Sequence, residues 1–82
     1  MSSYYYLVVY SFDPEHRAVG PFATEEECWE SMLAEANEEH QIDVDENGWH
    51  STFSANRDAG EITVRNYFGG DVDTTNWYLF SI

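Results

Sequence analysis

Residues 24–40, TEEECWESMLAEANEEH, decide the fold. Thr24-x-x-Glu27 is a capping box, in which each side chain satisfies an orphan amide at the start of a helix. Glu25, Glu26 and Glu27 fill the first turn, where the positive end of the helix dipole favours carboxylates. At about 100° per residue, Cys28, Trp29, Met32, Leu33 and Ala36 fall within an arc of about 140°, wide enough to pack on a sheet. Glu26, Glu27, Glu30, Glu35 and Glu38 take the opposite side. The pattern predicts a helix from Thr24 to about His40, with residues 41–48 as a loop.

The flanks read as strands. YYYLVVYSF (4–12) is β-branched and aromatic, with Tyr4, Tyr6, Val8, Tyr10 and Phe12 on one face and Tyr5, Leu7 and Val9 on the other. Both faces are apolar, which predicts a central strand or one with a face open to a partner. Asp13-Pro14 breaks it, and residues 13–23 read as a loop punctuated by Gly20-Pro21. WHSTFSA (49–55) and EITVRNYF (61–68) alternate, with Ile62 and Val64 inward. NRDAG (56–60) and Gly69-Gly70-Asp71 are turns, and NWYLFSI (76–82) is a last strand. The order β-α-β-β-β describes an α+β domain with one helix packed on a small antiparallel sheet.

The 82 residues make one domain, 1–82, with no linker or internal repeat. Five Phe, six Tyr and three Trp supply a core despite a net charge of −13. There are three arginines (Arg17, Arg57, Arg65) and no lysine. Direct binding of nucleic acid is disfavoured, because phosphate contacts need cations. Docking on an anionic membrane is disfavoured for the same reason. The single cysteine, Cys28, excludes an internal disulfide and fits a cytoplasmic location. The short apolar run after MSS has no basic region ahead of it, so neither a signal peptide nor a membrane span is expected.

Between residues 24 and 47 lie Glu25, Glu26, Glu27, Glu30, Glu35, Glu38, Glu39, Asp43, Asp45 and Glu46, with no Lys or Arg among them. Glu26/Glu30 and Glu35/Glu39 are like charges at i, i+4, each costing a few tenths of a kcal/mol. The carboxylates from Glu25 to Glu39 follow at one per about 3 Å of helix, close to the spacing of about 3.4 Å per phosphate in a nucleic-acid strand. Such a face suits a cationic channel built for nucleic acid. Two other readings fit the same letters: a solvated face that keeps a small protein soluble, and the acidity of a halophile.

Asp43-x-Asp45-x-Asn47-Gly48 reproduces the first half of a calcium loop. Position 12 of that loop is Ser54, where a bidentate Glu is required, and an Asx-rich turn explains the same residues. No metal or cofactor is therefore expected. Cys28 lies on the apolar helix face as a structural thiol. His16, His40 and His50 lie in or next to loops, and no spacing links them to one another or to Cys28. No phosphate loop, nucleophile elbow or HExxH is present, so the chain reads as non-enzymatic. Tyr4, Tyr5, Tyr6, Tyr10, Tyr67 and Tyr78 serve either a core with hydroxyls at its rim or an interface.

Tyr5-Tyr6-Leu7-Val8-Val9, and Gly20-Pro21-Phe22-Ala23-Thr24-Glu25-Glu26-Glu27 leading into a helix, resemble short acidic proteins carried by phages and other bacterial mobile elements. That class includes nucleic-acid mimics that block host defence nucleases, among them anti-CRISPR proteins. The resemblance implies an inhibitor of a nucleic-acid-binding protein and supplies no site residues of its own. The residues themselves point to Glu26, Glu27, Glu30, Glu35, Glu38, Asp43, Asp45 and Glu46 as the surface that meets a basic protein partner. The alternative is a small interaction domain whose acidity serves solubility and which self-associates through its aromatic sheet.

Overall fold

The computed structural model describes residues 3–11, 16–46, 48 and 50–82, and of Asp43 and Phe68 the backbone alone. The elements are β1 (Tyr4–Tyr10), β2 (His16–Phe22), α1 (Glu25–Asp45), β3 (His50–Asn56), β4 (Glu61–Phe68) and β5 (Asp71–Ser81). They form one helix on a five-stranded sheet of spatial order β2-β1-β5-β4-β3. Every pairing is antiparallel. The α+β class and the order β-α-β-β-β hold, with the first member doubled into a hairpin. The Asp13-Pro14 break, Phe12 and Trp49 lie outside the described residues.

The additional strand is β2, in a stretch whose Gly-Pro pair reads as a loop. It lies at the sheet edge, where Pro21 forfeits no interior ladder bond. Its register against β1 slips between Tyr6↔Val19 and Tyr4↔Phe22, so three steps along β2 oppose two along β1. This bulge turns both Val19 and Phe22 toward the core. Gly20 sits in it at φ +150°, and a Cβ there would stand 2.6 Å from Tyr5 Cδ1. Only glycine suits that position.

The strand β5 also begins earlier than Asn76. Gly69 and Gly70, at φ 55° and 90°, form a tight turn. Asp71 pairs with Phe68 directly across it. The polar run Asp71–Thr75 therefore continues the hairpin. The strand is central, bonded to β4 on one side and β1 on the other.

The helix starts as its cap predicts: Thr24 is extended, and its Oγ1 accepts the Glu27 N–H at 3.1 Å. It ends later, at Asp45, with the Glu46 N–H donating to the Ile42 carbonyl. No glycine or proline interrupts residues 25–46, and beyond the helix Gly48 is left-handed, φ 67°. Asp43 and Asp45 thus lie in a helix turn, where a calcium-loop geometry does not form; Asn47 lies outside the described residues. The extension also places His40 within the helix, with Nδ1 2.8 Å from Ser51 Oγ of β3. His16 and His50 open strands β2 and β3. Among the described residues, no helix is long and apolar enough to cross a membrane.

Cys28, Met32 and Ala36 form a buried seam at i, i+4, i+8. It meets Tyr6 and Val8 of β1, Ile62 and Val64 of β4, and Trp77 of β5. Trp29 and Leu33 flank the seam. Arg57, in the β3–β4 turn, holds the helix start: its Nη1 lies 2.7 Å from Glu25 Oε1, and its guanidinium covers the Trp29 ring at 5.3 Å. Burial pushes the Cys28 thiol above its ordinary value, with a smaller contribution from the Glu25 charge, so it stays protonated at neutral pH.

Met32 is fully buried at the centre of the seam. Met32→Ala is expected to remove about 2–5 kcal/mol of stability, a large share of what a domain of this size has. Urea denaturation followed by far-UV circular dichroism measures it; a loss below about 1 kcal/mol would contradict the placement of the seam.

Candidate acidic interface

The helix has two sides because one of them is anchored. With Cys28, Met32 and Ala36 against the sheet, Glu26, Glu27, Glu30, Glu38 and Asp45 are left exposed on the far side, and Glu46 is exposed at the C-cap. From Glu26 to Glu46 these carboxylates span about 30 Å, or one per about 6 Å. They are not evenly spread. Glu26, Glu27 and Glu30 crowd the first turns. Ala34 and Asn37 then leave about 12 Å without an outward acid before Glu38. The expected continuous strip is two patches joined by a neutral window.

Glu35 is not on the outer side. It is half-buried and turned toward the sheet, where it holds two donors at once. Arg17 Nη2 donates to Oε1 at 2.8 Å, and Trp77 Nε1 donates to Oε2 at 2.6 Å. Trp77 is 1 % exposed, so its indole N–H needs this acceptor. The Glu35 hydrogen bond, foremost, holds the Arg17 guanidinium above its ordinary value, with a smaller contribution from the neighbouring Tyr10. Glu25 is likewise paired, with Arg57. Glu35 therefore serves the structure, and Arg17 and Arg57 each neutralise one acid. Among the described residues, Arg65 makes no ion pair. The side chain of Asp43 lies outside what is described.

Beside the Arg17–Glu35 pair opens a cleft of about 330 Å³ between the C-terminal half of α1 and strands β1, β2 and β5. Glu38, Glu39 and Ile42 form its helix wall; Tyr10, Arg17 and Trp77 form its floor. Arg17 is already engaged by Glu35, so the cleft has an acidic rim over an aromatic base. A sequence could suggest that rim, since Glu35 falls only about 20° beyond the apolar arc. It gives no sign of the partners, which lie 18 and 42 residues away. Among the described residues, no three His, Cys, Asp or Glu side chains converge as a metal ion would require.

Two kinds of acid should separate in stability measurements. Glu35→Ala leaves the Trp77 indole and the Arg17 guanidinium without their acceptor and is expected to cost about 1–3 kcal/mol. Glu30→Gln removes only an exposed charge and should move stability by less than about 0.5 kcal/mol. Equal effects in urea titration would contradict the assignment. No protein-family model matches the chain, and no curated protein or solved structure is significantly similar to it.

Proposed function

We propose that the chain is a non-enzymatic, cytoplasmic protein-binding module whose outer helix face occupies the basic surface of another protein. The partner is one that normally holds DNA or RNA, and the chain acts as its inhibitor by mimicking the polyanion. The supporting observation is the outer face of α1, which carries Glu26, Glu27, Glu30, Glu38 and Asp45 with no cation anywhere on the helix. Glu46, exposed at the C-cap, is included in the contact set, and Asp43 belongs to it as an expectation from the sequence. Glu35 is withdrawn from the contact set by its pairing with Arg17 and Trp77.

Exposed ion pairs are worth about 0–1 kcal/mol each. A solvated ridge alone therefore binds weakly and depends on many pairs. The cleft supplies what the ridge lacks. A Lys or Arg side chain entering it would lay its stem on Tyr10 and Ile42 with its charge beside Glu38, partly shielded from water. Association should be fast and salt-sensitive, because long-range attraction steers it.

Affinity capture from a bacterial lysate at low salt, followed by displacement with a short oligonucleotide, tests this. The captured protein is expected to exchange the chain for the oligonucleotide. Glu26/Glu27/Glu30/Glu38→Gln should weaken binding by about 30-fold, and each single change by less than about threefold. Full affinity in the fourfold variant would refute the interface; capture indifferent to the oligonucleotide would refute mimicry.

A further inference from the structure

The sheet has a second face. Tyr6, Val8, Ile62, Val64 and Trp77 point to the helix. Strand alternation therefore sends Tyr5, Leu7, Val9, Tyr78, Phe80 and Tyr67 to the opposite side. Tyr78 and Tyr67 are exposed, and the others are half-buried. Tyr5 and Phe80 stack with ring centroids 5.5 Å apart. Among the described residues no element covers this face.

Charge distinguishes it from the rest of the molecule. The chain carries −13, yet by register the charged residues of this face, among those described, are Glu61 and Arg65. Their charges cancel. A cationic partner finds one carboxylate here, and an anionic partner finds one arginine. A second copy meets a face like its own, without net charge, aromatic and aliphatic over β1 and β5 and polar along β3, with both acidic helices turned away.

We infer that the open sheet face is a homodimer interface, two copies stacking face to face as a four-layer α-β-β-α assembly. Five strands at about 4.8 Å spacing and about 23 Å length give about 500 Å² per copy, so a pair buries on the order of 1,000 Å², enough for a specific but modest interface. The ion pair sets the register. Glu61 and Arg65 lie on one face of β4, about 13 Å apart. A two-fold axis in the interface, crossing the strands at the level of Thr63, brings each Arg65 over the partner's Glu61. The same axis brings Phe80 over the partner's Val72 and Val9 over its own copy. Among the described residues, no other charged group lies on this face.

This inference is independent of the acidic-helix proposal, and salt separates the two. Two bodies of −13 repel at long range, so screening should strengthen dimerisation while it weakens capture of a basic partner. Sedimentation equilibrium of the full chain, at low and high salt and into the high-micromolar range, reads the mass against the 9.5 kDa monomer. A dimer that tightens with salt is expected. Arg65→Glu should loosen it at least about tenfold by setting like charges opposite one another, and Glu61→Arg combined with Arg65→Glu should restore it to within about threefold. Both positions are exposed, and circular dichroism confirms that the variants fold. A monomer under all conditions would overturn the proposal. So would a dimer equally tight in the single and swapped variants, because its contacts would then lie elsewhere, as at the β2 or β3 edge.

Discussion

The buried seam of Cys28, Met32 and Ala36 is the contact on which everything else depends. A helix of this composition has little intrinsic reason to hold together, since its acids repel at i, i+4 and two of them crowd its C-terminal end. It is stable because its apolar side is buried against Tyr6, Val8, Ile62, Val64 and Trp77. The seam also fixes the helix in rotation. That single constraint decides which carboxylates meet water, which one meets Trp77, and which sheet face is left bare.

Segregation of charge follows from the topology. The first and last strands pair at the middle of the sheet, and α1 crosses one face from the β2 edge to the β3 edge. A sheet covered on one side has two unlike surfaces. Here the covered side carries a layer of carboxylates on its outer helix, and the bare side, aromatic over β1 and β5 and polar along β3, carries no net charge among the described residues. The arginines sharpen the division. Arg17 and Arg57 hold helix acids at the sheet margin, and Arg65 stands on the bare face opposite in sign to Glu61.

The sequence was legible where one physical signal acted alone. Thr24, the first-turn glutamates and the apolar arc located the helix start and its buried face. Alternation of Ile62 and Val64 located their strand. It was misleading where two signals competed. Gly20-Pro21 reads as a loop, yet a glycine at a bulge and a proline on an edge strand are compatible with pairing. Asp43-Val44-Asp45 reads as an Asx turn, but the helix continues to Asp45 because no glycine or proline in that stretch breaks it. Of the candidate contact set, Glu26, Glu27, Glu30 and Glu38 are exposed as the helical periodicity implies, and Asp45 and Glu46 are exposed too, at the end of a helix that runs through what reads as a loop. Glu35 lies at the margin of the arc, where the partners available from distant strands decide its direction, and no local pattern encodes Arg17 or Trp77.

The central claim is that the fold, rather than composition alone, sorts the charge into an acidic side and a neutral one. Paramagnetic relaxation by cationic and anionic nitroxide cosolutes, read residue by residue in NMR spectra, measures the local potential at each surface. The account predicts strong enrichment of the cationic probe over residues 26–30 and 38–46 and near-equal relaxation by the two probes at Leu7, Tyr78 and Phe80. Equal cation enrichment on both sides of the molecule would contradict it.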